Sequence, residues 1–231
     1  YSLKNTFAIS LLEGFNKWAK SGLKAFIASE LRHFTLPNTT GSTSYNEHNL
    51  SIGAQLSKAQ GKTFHYNATA ETWLTGEDAG QLKLDASADL NFKLFGDTLS
   101  LTANGFFHRL NPTFYYRHYH SRHAWWDNNS MSKMLHTRLQ GILHYQKTRT
   151  TLRIGIDEIN NYAYFASSYT VNNGNRVNHA ITVNQYGGAV NLITVALSQD
   201  FTLGPLNWES VITYQKSNNK TVLPVPDFNI Y

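Results

Sequence analysis

The sequence predicts an all-β fold, an antiparallel up-and-down transmembrane β-barrel with about eleven strands present. Two observations predict it. The first is the stretch 81–108. From Leu82 to Leu94 every even position is apolar (Leu82, Leu84, Ala86, Ala88, Leu90, Phe92, Leu94), and the odd positions from Gln81 to Lys93 are polar or charged. A strict period of two describes an extended strand with one dry and one wet face. Phe95, Gly96, Asp97 and Thr98 supply a tight turn. The pattern resumes in odd register through Leu99, Leu101, Ala103, Gly105 and Phe107, with Phe106 as the one break. The polar face of the first arm carries four charges (Lys83, Asp85, Asp89, Lys93), too many for the wall of a soluble sandwich core. A barrel with lipid outside and water inside suits them. The second observation is that connections sort by parity. Those after the third, fifth, seventh and ninth strands are short, and those after the second, sixth and eighth are long. Bacterial barrels sort their turns and loops in this way. The longish connection after the first strand and the short one after the fourth depart from the pattern.

Taken in order, residues 2–12 alternate with Leu3, Phe7, Ile9 and Leu11 on one face, Asn5 being the exception. Residues 13–22 connect them to a second strand, 23–35, with Leu23, Ala25, Ile27 and Leu31 opposite Lys24, Glu30 and Arg32. Residues 37–48 read as a polar loop. Strand three, 49–58, turns through Ala59, Gln60 and Gly61 into strand four, 63–74. After the central hairpin comes a long loop, 109–133, dense in aromatics and histidine. Residues 135–145 and 151–165 form the next hairpin, and 166–187 read as a polar, Asn-rich connection. Residues 189–199 and 206–216 pair, and 222–231 begin a further strand.

Composition narrows the function. No run of ~18 apolar residues exists, so a helical span is excluded, and a mean hydropathy of −0.39 is compatible with strands that are half polar. There is no cysteine, hence neither a disulfide framework nor a thiolate metal site. The net charge is +5, but the cations are scattered singly, which argues against nucleic acid as a partner. The sequence opens at Tyr1 with no charged n-region and apolar h-region, so a processed protein or a piece of a longer one is expected. Parity places Tyr1 on the outer side, where a complete barrel of even strand number would not begin. The chain is therefore expected to be a segment of a larger barrel, with 1–231 in a single domain.

The run 111–128, and within it His-Tyr-x-Ser-x-His-x-x-Trp-Asp-Asn from His118 to Asn128, resembles the putative porin family of Bacteroidota outer membranes. So do Glu158-Ile159-Asn160-Asn161-Tyr162-Ala163-Tyr164-Phe165, Leu206-Asn207-Trp208-Glu209, Tyr214-Gln215-Lys216-Ser217 and Leu223-Pro224-Val225-Pro226-Asp227. The detailed likeness covers 111–231. It implies an outer-membrane, porin-like barrel and carries over no catalytic residues.

The candidate residues follow from the two faces. Glu71, Lys83, Asp85, Asp89, Lys93, Arg138 and Arg153 are expected to line the lumen, together with Lys24, Glu30, Arg32, Asp157 and Glu209. Mixed charges of this kind can wet a pore or pair into a plug. Tyr115, Tyr116, Arg117, His118, His120, His123, Trp125 and Trp126 are expected in an ordered external loop that packs the rim or folds into the lumen. Packing outweighs ligand contact there, and ligand contact outweighs a metal, because no carboxylate lies at zinc-like spacing before Asp127. Aromatics near strand ends (Phe15 and Trp18, Phe64 and Tyr66, Phe92 and Phe95, Phe201 and Trp208) suit the headgroup level of a bilayer. No hydrolase or nucleotide-binding motif occurs, so neither an enzyme nor a cofactor is expected. Four glycan-acceptor matches, starting at Asn38, Asn67, Asn128 and Asn219, are taken as chance. The expected function is passive diffusion of small polar solutes. The alternatives are a non-transporting structural or docking barrel of an outer-membrane complex and a soluble carbohydrate-binding β-sandwich. Outer-membrane lipid and lipopolysaccharide, small polar solutes and other outer-membrane proteins are the expected partners.

Overall fold

The alternation legible in residues 82–94 repeats in strand after strand. The computed structural model describes residues 1–15, 20–94 and 96–231. Among the described residues, eleven strands form one antiparallel sheet: β1 (Ser2–Leu11), β2 (Gly22–Asn38), β3 (Gly41–Lys58), β4 (Phe64–Thr75), β5 (Leu82–Leu94), β6 (Asp97–Leu110), β9 (Met134–Tyr145), β10 (Thr150–Asn172), β11 (Asn175–Leu203), β12 (Leu206–Ser217) and β13 (Phe228–Ile230). Each pairs with the next in the chain, so the sheet is a meander. A short helix, α1 (Phe114–Arg117), and a small hairpin, β7 (His118–His120) and β8 (Trp125–Asp127), are inserted between β6 and β9. The sheet is open: β1 and β13 are its edges.

Register explains the two faces. One row of paired residues runs Ser10, Lys24, Gln55, Thr69, Asp85, Phe106, Arg138, Asp157, Leu192, Ser217 from β1 to β12. The adjacent row runs Leu11, Leu23, Leu56, Ala68, Ala86, Gly105, Leu139, Ile156, Ile193, Lys216 and is apolar up to its last member. Side chains alternate along every strand, so rows two apart share a face and the sheet has one charged and one apolar side. Leu23, Leu56, Leu139, Ile156 and Ile193 are all exposed, Leu139 to 67%. No second sheet packs on this apolar face among the described residues, so a sandwich core is absent there.

Two segments read as loops are strands. Residues 37–48 continue β2 and β3 to a turn at Thr39 and Thr40, and residues 166–187 continue β10 and β11. The second ribbon turns on Asn173 and Gly174, both with positive φ (48° and 79°), as the mirror-image hairpin turn requires. Both ribbons project past their neighbouring strands and are rich in Asn, Ser and Thr. The long connections of one end are thus mostly hairpin extensions, whereas the other end closes with short turns. Only Phe228–Ile230 of the expected last strand, 222–231, pairs with β12. The aromatics Phe64, Tyr66, Phe92, Phe201 and Trp208 lie toward the short-turn end on the apolar side. Trp18 and Phe95 lie outside the described residues.

The sheet curls toward its charged side. Lys4 Nζ on β1 reaches within 3.7 Å of Glu71 Oε1 on β4. On a flat sheet these strands would lie three spacings, about 14 Å, apart. At the extended end the short connection 76–81 folds back on the charged face, where the Asn49 side chain accepts a hydrogen bond from Asp78 N at 2.9 Å. Gly76 makes this possible. Its φ is +88°, and a Cβ there would meet the His48 carbonyl and come within 2.5 Å of Asn49 Oδ1. Gly76→Ala is therefore expected to destabilise the protein by about 1–3 kcal/mol. Thermal unfolding in detergent should show the drop, and an unchanged midpoint would contradict this account of the turn.

Candidate functional site

The charged face carries the expected lumen set. Glu71 and Lys83 are register partners. Glu71 accepts a hydrogen bond from Ser51 Oγ at 2.7 Å, and the Lys83 ammonium sits 5.5 Å from the Trp73 ring. Asp85 accepts from His108 Nε2 at 2.9 Å, and Asp89 from His65 Nδ1 at 2.7 Å. Arg138 Nε lies 3.1 Å from Asp157 Oδ1, which also accepts from His136 Nε2 at 2.7 Å. Lys93 and Arg153 share the face and have no ion-pair partner among the described residues. Lys24, Glu30, Arg32 and Glu209 lie on the same side by register.

Residues 111–133 fold over this face as a strap. Phe114 stacks on Phe34 of β2 with centroids 3.7 Å apart, and Tyr116 stacks on Phe165 of β10 at 4.8 Å. β2 and β10 are six spacings apart, about 29 Å along a flat sheet. Two aromatics on opposite sides of one helical turn, with their stacking partners, span only about 20 Å. The strap is a chord across the concave side.

Ion pairs fix its centre. Arg117 is buried; its Nη2 donates to Glu47 Oε1 at 2.7 Å, its Nη1 to Glu77, and its Nε to the Pro112 carbonyl at 3.2 Å. Glu47 and Asp78 also face Arg32, at 3.3 and 2.8 Å, and Arg32 pairs with Glu30 at 2.8 Å. One network thus joins β2, β3, the 76–81 connection and the strap. The hairpin β7–β8 is held by Asp127, which accepts from His118 Nδ1 at 2.8 Å, from His120 Nε2 at 2.9 Å and from the Tyr45 hydroxyl at 3.2 Å. His120 Nδ1 donates to the Pro37 carbonyl at 3.1 Å, and Trp125 stacks on the His120 ring. Trp126 Nε1 donates to the Tyr115 carbonyl at 3.1 Å, and Tyr115 meets Phe34 edge-on. His123 is exposed at the hairpin tip.

The sequence-predicted strap residues are therefore brought together, apart from His123. Their partners Phe34, Tyr45, Glu47 and Glu77 were not singled out, because the first three lie on or beside the segment read as a loop. The histidines aim their donors at one carboxylate. Among the described residues no group of three or more His, Asp or Glu is arranged to hold a metal ion. Burial works against the Asp127 carboxylate, but the hydrogen bonds from His118 and His120 outweigh it and hold the carboxyl below its ordinary value.

Arg117→Met would leave Glu47 with Arg32 alone and should weaken strap docking by ~3 kcal/mol. Protease cleavage within 111–128 should rise on the order of a hundredfold, and an unchanged rate would show that stacking alone seats the strap. The Asp127 contribution has a definite sign with pH. Its depressed folded value means that the stabilisation is complete above the ordinary carboxylate range and is lost as pH falls through the folded value. Acrylamide quenching of tryptophan should therefore increase below about pH 4. Asp127→Asn should show no such acid step.

A family described as "Putative porin" matches residues 1–231. No curated protein matches the chain, and no solved structure does.

Proposed function

The chain belongs to the putative porin family, and on that premise we propose that its sheet forms part of a transmembrane β-barrel of the bacterial outer membrane through which small polar solutes diffuse passively. The observation that carries this reading is the separation, through seven strands from β2 to β10, of an apolar row with exposed Leu and Ile from a row that is polar or charged except at Phe106. Apolar side chains exposed on so wide a surface call for lipid or a partner. Hydrocarbon cannot satisfy an open sheet edge, so β1 and β13 would pair with each other or with further strands in a larger barrel. Aromatics toward the short-turn end would lie at headgroup level, and the projecting ribbons would meet lipopolysaccharide and other proteins outside. The run His118 to Asn128 supports placing it in Bacteroidota. Lys83, Asp85, Asp89, Lys93, Arg138, Arg153 and Glu71 would line the lumen, and the strap with Tyr115 to Trp126 would narrow its outer mouth. No catalysis, cofactor or nucleic acid enters this reading.

A second reading rests on the strap itself. If its ion-pair network and aromatic contacts close the lumen, the barrel is an anchor or docking platform in an outer-membrane complex. Planar bilayers separate the two: the full-length protein should give stepwise conductance, and silence from a well-folded barrel would favour the platform. Adjacent residues test the membrane claim. Leu139→Arg, on the apolar side, should cost about 2–4 kcal/mol in a bilayer, whereas Gln140→Arg, on the charged side, should be mild. Equal tolerance of both would sink the barrel.

A further inference from the structure

Phe106 is where the alternation of β6 breaks, placing a large apolar ring on the charged face. The ring is held between two histidines. It stacks on His108 with centroids 4.3 Å apart and meets His136 edge-on at 4.7 Å. Each histidine is committed to a carboxylate on its other side: His108 Nε2 to Asp85 Oδ1 at 2.9 Å, and His136 Nε2 to Asp157 Oδ1 at 2.7 Å. Asp157, only 2% exposed, in turn lies 3.1 Å from Arg138 Nε. One ring is thus flanked by a hydrogen-bonded carboxylate and an ion-paired guanidinium.

Asp85, Phe106 and Arg138 are consecutive members of one register row on β5, β6 and β9. They line a recess of about 220 Å³ that Asn67, Ser87 and Asn104 complete with amide and hydroxyl groups. The groups are not used up. The Asp85 side chain is half exposed, and its Oδ2 has no hydrogen-bond partner among the described residues. Neither terminal nitrogen of Arg138 has a partner among them. Asp157 Oδ2 is buried without one, so this carboxylate serves to hold Arg138 and is not itself open to solute.

We propose that this recess is a binding subsite for a small zwitterion, a carboxylate and an ammonium on a short apolar body, as in a free amino acid. The planar guanidinium fork fits a carboxylate, and Asp85 supplies the opposite charge for an ammonium. Phe106 contributes apolar contact. A lone anion would meet repulsion from Asp85, and a lone cation would meet it from Arg138. The charged ends stand two strand spacings apart at the backbone, about 10 Å, and the recess is smaller than the ~300 Å³ at which pockets for drug-sized ligands begin. The inference rests on the channel reading, since it takes the charged face to be the one that diffusing solutes meet, but its test needs no current.

Calorimetric titration of the detergent-solubilised, full-length protein with leucine, isocaproate and isoamylamine decides it. The last two lack the ammonium and the carboxylate respectively. Leucine should bind about tenfold or more tightly than either. Asp85→Asn should lower leucine affinity about tenfold and abolish the preference over isocaproate, while Arg138→Gln should abolish the preference over isoamylamine. Arg138→Gln strips Asp157 of its cation and can unfold the sheet. The half-exposed Asp85→Asn keeps an acceptor for His108 and is decisive alone. No leucine binding to the folded protein, equal binding of all three probes, or wild-type affinity in Asp85→Asn would each overturn the subsite. Conductance without leucine binding would remove the subsite and leave the channel; leucine binding by a barrel silent in bilayers would do the reverse.

Discussion

The hydrogen-bonded register between neighbouring strands determines which face every side chain of this sheet occupies. A slip of one residue in any pair would exchange the faces of all strands beyond it. From Lys24 to Asp157 one row keeps its polar or charged residues on a single side through seven strands, Phe106 apart, while the next row keeps Leu, Ala, Gly and Ile on the other. Such a slip would set charged residues among the exposed Leu and Ile of one side and bring those Leu and Ile among the ion pairs of the other. The patterning therefore fixes the register, and the register assembles the charged surface.

On that surface many of the charges are paired locally, Lys93 and Arg153 being exceptions among the described residues. The histidines His65, His108 and His136 each donate to a carboxylate, Asp89, Asp85 and Asp157 respectively, on an adjacent strand. Such pairs cross-link strands through side chains as well as backbone, and they orient whichever groups remain free. Phe106 is the one large ring in its row between two of these pairs, which gives a local break in the pattern a chemical surrounding that no other position of β6 has.

The strap shows how a loop gains order without a core of its own. Its aromatics borrow the rings of Phe34 and Phe165, and Arg117 joins a network that already contains Arg32, Glu47 and Asp78. Removing Arg117 would leave Glu77 without its cation and Glu47 with Arg32 alone, in partly desolvated surroundings. The projecting ribbons of β2–β3 and β10–β11 are what bring these partners into reach. Strand length beyond the sheet is thus part of how the concave face is covered.

The sequence by itself determined the strand class, the central hairpin with its boundaries at Leu82 and Leu94, and the face to which Glu71, Lys83, Asp85 and Arg138 belong. All of these follow from a period of two, which is a local property of the chain. It also marked the strap as aromatic and ordered, through Tyr115, Tyr116, Trp125 and Trp126. It misread 37–48 and 166–187, because the first is almost wholly polar and the second scatters Tyr169, Val171, Val177, Ile181 and Val183 among Asn, Ser and Thr, so that neither shows the sustained alternation of 82–94; only the Asn173-Gly174 turn signals the second. Tertiary structure alone decided that Arg117 meets Glu47, seventy positions earlier, and that His118 and His120 share Asp127. It alone set Phe106 between Asp85 and Arg138. Those contacts depend on pairings between distant strands and on the curl of the sheet, neither of which is a periodicity that any short stretch can display.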